Sequence, residues 1–148
     1  MFFKCESLQK AGSFKFRGAC NAVSLLSTRE NVRAGATHSS GNHGAALALA
    51  AHLHRLSATV VMPVDASVVK QAAVRNYGGH IVPCEPTDSS RKASLAAMLS
   101  ANAAEPIHPY DDARVIAAQG TVGIEILGVL PGLDALVVPV GGGGSSVG

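Results

Sequence analysis

The chain has 148 residues, room for about one domain, and a net charge of +2 with lysines and arginines scattered along it, which argues against a nucleic-acid or membrane-surface role. Only 15% of residues are charged, against about 25% in a typical soluble domain. Mean hydropathy is +0.26, yet no apolar run is long enough to cross a membrane, so the sequence reads as the interior of a larger body.

The first predicted strand is 2–6. Phe2 and Phe3 are cut short by Lys4 and Glu6, so no signal peptide is visible and a cytoplasmic location is expected. Cys5, Cys20 and Cys84 are odd in number and form no C-x-x-C, which fits reduced thiols in that compartment. Gly12 and Ser13 then punctuate the chain before a predicted helix at 16–26. At that junction Lys15 sits between Phe14 and Phe16. Partial desolvation there lowers the amine's pKa and frees it for carbonyl chemistry. Schiff-base formation is the reaction such a lysine suits, and pyridoxal phosphate is the commonest cofactor that uses it. A lysine at a helix start is, by itself, more often simply solvated.

A short, weak strand at 33–37 leads into Thr37-His38-Ser39-Ser40-Gly41-Asn42-His43-Gly44 and an alanine-rich helix at 43–54. Ser, Gly and Asn before a strong helix former mark a helix N-terminus with free backbone N–H groups, an end that binds anions such as a carboxylate. An ordinary cap needs only one of these residues; the run of small and polar residues points to a ligand loop. Next come a strand at 58–62, a helix at 66–77 stopped by Gly78-Gly79, a strand at 80–83, a helix at 89–103 and an extended piece at 106–108. Asp111 and Asp112 are read as caps for the segment after them. A helix at 121–130 ends at Pro131-Gly132, and an apolar strand at 135–140 runs into Gly141, Gly142, Gly143 and Gly144. Four glycines let successive N–H groups converge on a phosphate, although neither the P-loop nor the dinucleotide spacing is met. A flexible linker is the competing reading, and linkers rarely follow a buried strand without a break. The alternation of strands and helices predicts an α/β fold with mainly parallel sheet and helices on both faces.

The lysine, the Ser-Ser-Gly-Asn-His-Gly loop and the glycine run, in this order, resemble the fold-type II pyridoxal-phosphate enzymes, the tryptophan synthase β family. Within it the chain is most similar to the serine racemase and threonine (serine) dehydratase branch. Supporting matches are Phe2-Phe3-Lys4-Cys5-Glu6, Gln9-Lys10, Cys84-Glu85-Pro86, His108-Pro109-Tyr110-Asp111-Asp112 and Gln119-Gly120-Thr121. The resemblance implies pyridoxal phosphate on Lys15, Phe14 against the cofactor, Asn42 on its phenolic oxygen, and Gly141, Gly142, Gly143 and Gly144 around its phosphate. Ser39, Ser40, Asn42 and His43 would surround the substrate carboxylate. Ser40 would be the acid/base on the face opposite Lys15. The activities implied are ammonia loss from, or racemisation of, small hydroxy amino acids, by a homodimer when full length.

The resemblance divides the chain into a large-domain segment 1–33 carrying the lysine, a small mobile domain 34–112, and a second large-domain segment 113–148. It suggests a chain truncated at both ends, inactive alone. The carboxylates of the branch's Mg2+ or Ca2+ site would then fall outside it. Lys10 and Tyr77 match positions of a nucleotide (ATP) site in the branch. A non-catalytic remnant that binds pyridoxal phosphate or a partner only weakly is the alternative.

Overall fold

The computed structural model describes residues 1–143. Five α-helices and four strands alternate: α1 Lys15–Ser27, β1 Ala34–His38, α2 Asn42–Leu53, β2 Ser57–Pro63, α3 Val68–Asn76, β3 His80–Cys84, α4 Asp88–Ala101, β4 Ala104–Pro106 and α5 Ala113–Val129. The strands form one parallel sheet in the order β3-β2-β1-β4. From β1 the chain steps outward twice, to β2 and then β3, before α4 carries it back across to the far side of β1. Right-handed crossovers place α2 and α3 on one face and α4 on the other, so the α/β class with both faces covered is the observed architecture.

The core follows from the apolar spacing. Phe16, Ala19, Val23 and Leu26 recur at three- and four-residue intervals on α1 and are all buried. Helix α2 is apolar on every side, and seven residues of its 44–51 run are buried, because it is wedged between the sheet, α1 and α3. Its alanines let those neighbours come close. On β2, the residues Val60, Val61 and Met62 are all buried, as expected of a central parallel strand covered on both sides.

Two expected strands are absent. Residues 2–6 form no ladder; Glu6–Leu8 and Lys10–Gly12 are short 3-10 turns instead. Residues 135–140 likewise form no strand, and Leu136, Val137, Val138 and Val140 are exposed. An apolar β-branched run adopts a ladder only where a neighbouring strand takes its backbone hydrogen bonds, and none is offered among the described residues. The last helix also begins eight residues earlier than its apolar pattern suggested. The Asp112 side chain accepts the Arg114 N–H at 2.9 Å and starts α5. The cap was legible, but Gly120 obscured the helix behind it.

Candidate functional site

The strand order reverses between β1 and β4, and crevices at such switch points, outside the carboxyl ends of the strands, are where open α/β sheets bind ligands. Here that crevice is a cleft of about 420 Å3. Strand β1 delivers Ser39, Ser40 and Gly41 to it, α2 begins on its wall, and Pro109 and Tyr110 enter after β4. Lys15 reaches it from the start of α1.

Lys15 is half-buried, and its Nζ donates to the Pro109 carbonyl at 2.6 Å while lying 5.2 Å from the centre of the Phe14 ring. Burial pulls the amine below its ordinary pKa, as the flanking phenylalanines suggested. Two residues on, Arg17 is held in a fork by Glu6 at 2.9 Å and by Glu125 at 2.6 and 2.8 Å, with Thr121 at 3.0 Å. That network ties the N-terminal segment and α5 to the helix that presents Lys15. Hydrogen bonds from Arg17 and then Lys4 hold Glu125 at a pKa of about 2.

In the polar loop the side chains divide into two groups. The Ser39 hydroxyl accepts the N–H groups of Gly41 at 3.2 Å and Gly44 at 3.1 Å, so it braces the loop from within. Ser40 and Asn42 are exposed on the cleft and their side chains make no hydrogen bond among the described residues. His43 is buried, with Nε2 3.2 Å from the Ile107 carbonyl. Since a carbonyl only accepts, Nε2 carries the proton and Nδ1 is left as a buried acceptor without a partner. Burial first, then the nearby Lys15 charge, pushes the His43 pKa down to about 4 against the opposing bond to Ile107. The imidazole is neutral at physiological pH.

The glycine run meets the cleft's edge at Tyr110, and its described residues are not among those that line the cleft. A Cβ built on Gly142 would collide with the Tyr110 ring, whereas Gly141 has open space around it. Gly144 lies outside the described residues. Sequence reasoning passed over six residues that line the cleft: His38, Lys70, Asp88, Arg91, Pro109 and Tyr110. Those on α3 and α4 come from helix starts distant in sequence, and nothing local marks them. His108-Pro109-Tyr110 was noted only as a motif.

A lysine amine of lowered basicity sharing a cleft with a helix N-terminus is a site for a carbonyl compound that carries an anion. Residues 1–148 match the family model described as pyridoxal-phosphate dependent enzyme. The chain belongs to that family. It is 48% identical over 144 residues to the β-hydroxyaspartate dehydratase of Paracoccus denitrificans, covering 97% of this chain and 46% of that protein. It is 47% identical to the serine racemase of Arabidopsis thaliana, covering 97% and 44%. Maize serine racemase superposes with a TM-score of 0.94 at 42% identity, covering 98% of this chain and 44% of the solved one. The chain thus spans less than half the length of the relatives it matches.

The family implies pyridoxal phosphate, and the residues fit it. Lys15 supplies an amine of lowered basicity, α2 opens on the cleft with its N-terminus, and the turn at Gly142 admits no side chain. These are the three chemistries that an aldehyde, a carboxylate and a phosphate require.

Proposed function

We propose that this chain is part of an enzyme that performs pyridoxal-phosphate chemistry on small hydroxy amino acids, serine or threonine: dehydration to a 2-oxo acid and ammonia, racemisation, or both. The observation that carries the reading is Lys15, half-buried at the cleft with its Nζ fixed by Pro109 and its basicity lowered. Lys15 would hold the cofactor, with Phe14 beside it, Asn42 toward its ring oxygen and the glycine turn on its phosphate. When bound, the cofactor supplies an electron-withdrawing ring that stabilises negative charge developed at the substrate Cα.

The chain's own residues do the rest. The first N–H groups of α2, with the exposed Ser40 hydroxyl beside them, bind and orient the substrate carboxylate; the one N–H of His43 is already given to Ile107, so the imidazole offers the carboxylate no donor. The freed Lys15 amine takes the proton from Cα. If the β-hydroxyl then leaves as water, taking the proton that Lys15 has collected, hydrolysis of the enamine product gives the 2-oxo acid and ammonia. If instead the exposed Ser40 hydroxyl returns a proton to Cα, the opposite enantiomer forms. His43, neutral and tethered to Ile107, forms part of the cleft wall without adding a positive charge next to Lys15.

A second reading is favoured by the cations on the cleft. Lys70 and Arg91 line it with Asp88 as the sole carboxylate among the lining residues; Arg91 pairs with Asp88 at 3.8 Å through its Nη2, while its buried Nε has no hydrogen-bond partner among the described residues. That excess of positive charge suits a hydroxy amino acid with a second carboxylate, the substrate type named for the Paracoccus relative. The test of the primary reading is direct. Borohydride reduction after incubation with pyridoxal phosphate, followed by peptide mapping, is expected to label Lys15. A label on Lys4, Lys10, Lys70 or Lys92 with Lys15 unmodified would sink the assignment. Supplying L-serine and L-threo-3-hydroxyaspartate side by side and assaying 2-oxo acid separates the two substrate readings.

A further inference from the structure

We propose that Tyr110 is a positioning residue that sets the phosphate-binding glycine turn at a fixed distance from Lys15. The proposal rests on the pyridoxal-phosphate reading above and goes beyond it in assigning a residue outside the lysine, the polar loop and the glycines.

Residues 107–111 form a bridge between the two halves of the site. On one side, the Pro109 carbonyl takes the Lys15 ammonium at 2.6 Å and the Ile107 carbonyl takes the His43 imidazole at 3.2 Å. On the other side, the Tyr110 ring lies so close to Gly142 that any Cβ there would overlap it. The bridge is stiffened internally. His108 Nδ1 accepts the Asp111 N–H at 2.8 Å and the Tyr110 N–H at 3.4 Å. The His108 ring stands edge-on to Tyr110, with centroids 4.5 Å apart, and to His38 at the end of β1, 5.5 Å away. Three rings thus run from the sheet to the glycine turn, and the last of them touches the backbone that would hold the phosphate. Because residue 109 fixes the amine and residue 110 fixes the turn, the spacing between aldehyde and phosphate is built into adjacent residues of one segment. Aromatic rings hold their contacts at low cost in side-chain freedom, having only two χ angles.

The same contact gives the glycine at position 142 a reason distinct from backbone freedom: the space belongs to Tyr110. A double-mutant cycle separates the two explanations. Affinity for pyridoxal phosphate and for pyridoxal, which lacks the phosphate, is measured by equilibrium absorbance titration for the parent chain, Tyr110→Ala, Tyr110→Phe, Gly142→Ala and Gly142→Ala with Tyr110→Ala. Tyr110→Ala is expected to weaken pyridoxal phosphate about tenfold, the scale of one lost aromatic contact, while leaving pyridoxal nearly unchanged. Tyr110→Phe is expected to match the parent, because the ring and not the hydroxyl does the positioning. Gly142→Ala is expected to weaken pyridoxal phosphate more than Tyr110→Ala does, and the double variant to recover to the Tyr110→Ala level. Equal losses for both ligands in Tyr110→Ala, or losses in the double variant that simply add, would overturn the proposal. A parent chain that binds neither ligand and takes no label at Lys15 would overturn the cofactor reading and this proposal together. Normal parent binding with an unmoved phosphate preference in Tyr110→Ala refutes this proposal alone.

Discussion

Helix α1 presents Lys15, and its seat on α5 depends on Gly18. Substituting Gly18→Ala sets two effects of known sign against each other. A Cβ at this position would stand 2.6 Å from Val115 Cγ1 and 3.0 Å from both the Val115 carbonyl and Gln119 Nε2. Val115 is fully buried and its branched side chain is short, so it has little room to swing away. The carbonyl belongs to the α5 backbone and can retreat only if the helices part. Overpacking of this kind costs roughly 1–3 kcal/mol. Against it, alanine is about 1 kcal/mol better than glycine in a helix interior. The balance is a net loss of about 1 kcal/mol, equivalent to a fall in Tm of roughly 2–4 °C for a domain of this size. The assay is thermal unfolding by circular dichroism, with Gly18→Ala/Val115→Ala alongside. That pair removes the nearest clash but not the carbonyl, so its loss should fall short of the sum of the two single variants. Labelling of Lys15 by pyridoxal phosphate and borohydride should slow in Gly18→Ala, since the helix that carries the lysine is displaced. A rise in Tm for Gly18→Ala would refute the reasoning, because it would mean helix propensity and not the α1–α5 contact decides this position.

Other outcomes can be checked separately. Ser40→Ala should abolish racemisation while leaving β-elimination from the L-enantiomer largely intact, a selective loss of about 10²–10⁴-fold; equal loss in both would make Ser40 a substrate clamp only. His43, with a folded pKa near 4 against about 6.5 unfolded, binds its proton more readily in the unfolded chain. Its contribution to stability is therefore complete above about pH 6.5 and is lost as pH falls toward 4, by up to about 3 kcal/mol; urea melts across that window should lose part of this slope in His43→Gln. At pH 7, nitrogen NMR shifts should show His43 protonated at Nε2 and bare at Nδ1, and the reverse tautomer would contradict the bond to Ile107. Arg17→Lys should lower Tm and slow Lys15 labelling, because a single ammonium cannot span Glu6 and Glu125 as the guanidinium fork does; an unchanged Tm would show the network to be ornamental to stability.

Much of the site was legible along the chain because its parts are contiguous. Lys15 with its flanking phenylalanines and the run from Ser39 to His43 ahead of an alanine-rich helix, which the fold brings into one cleft, each carry their signal within eight residues or fewer, where capping and desolvation operate. Strands β1 to β3 were legible for the same reason, since apolar runs between turn residues are local signals. Tertiary structure alone decided the remainder. An apolar run at 135–140 reads as a strand, yet whether it becomes one depends on a neighbour that supplies hydrogen bonds, and a sequence pattern does not contain that neighbour. Asp88 and Arg91 reach the cleft because the return crossover brings α4 past β1, and Lys70 because the start of α3 lies against Gly41; their spacing in the chain carries no trace of it. The neutrality of His43 likewise comes from burial, which outweighs the opposing bond to Ile107, a residue 64 positions away. Gly142 owes its identity to the ring of Tyr110. Local chemistry is written in neighbouring residues, whereas desolvation, ladder partners and steric exclusion are properties of the space that the folded chain encloses.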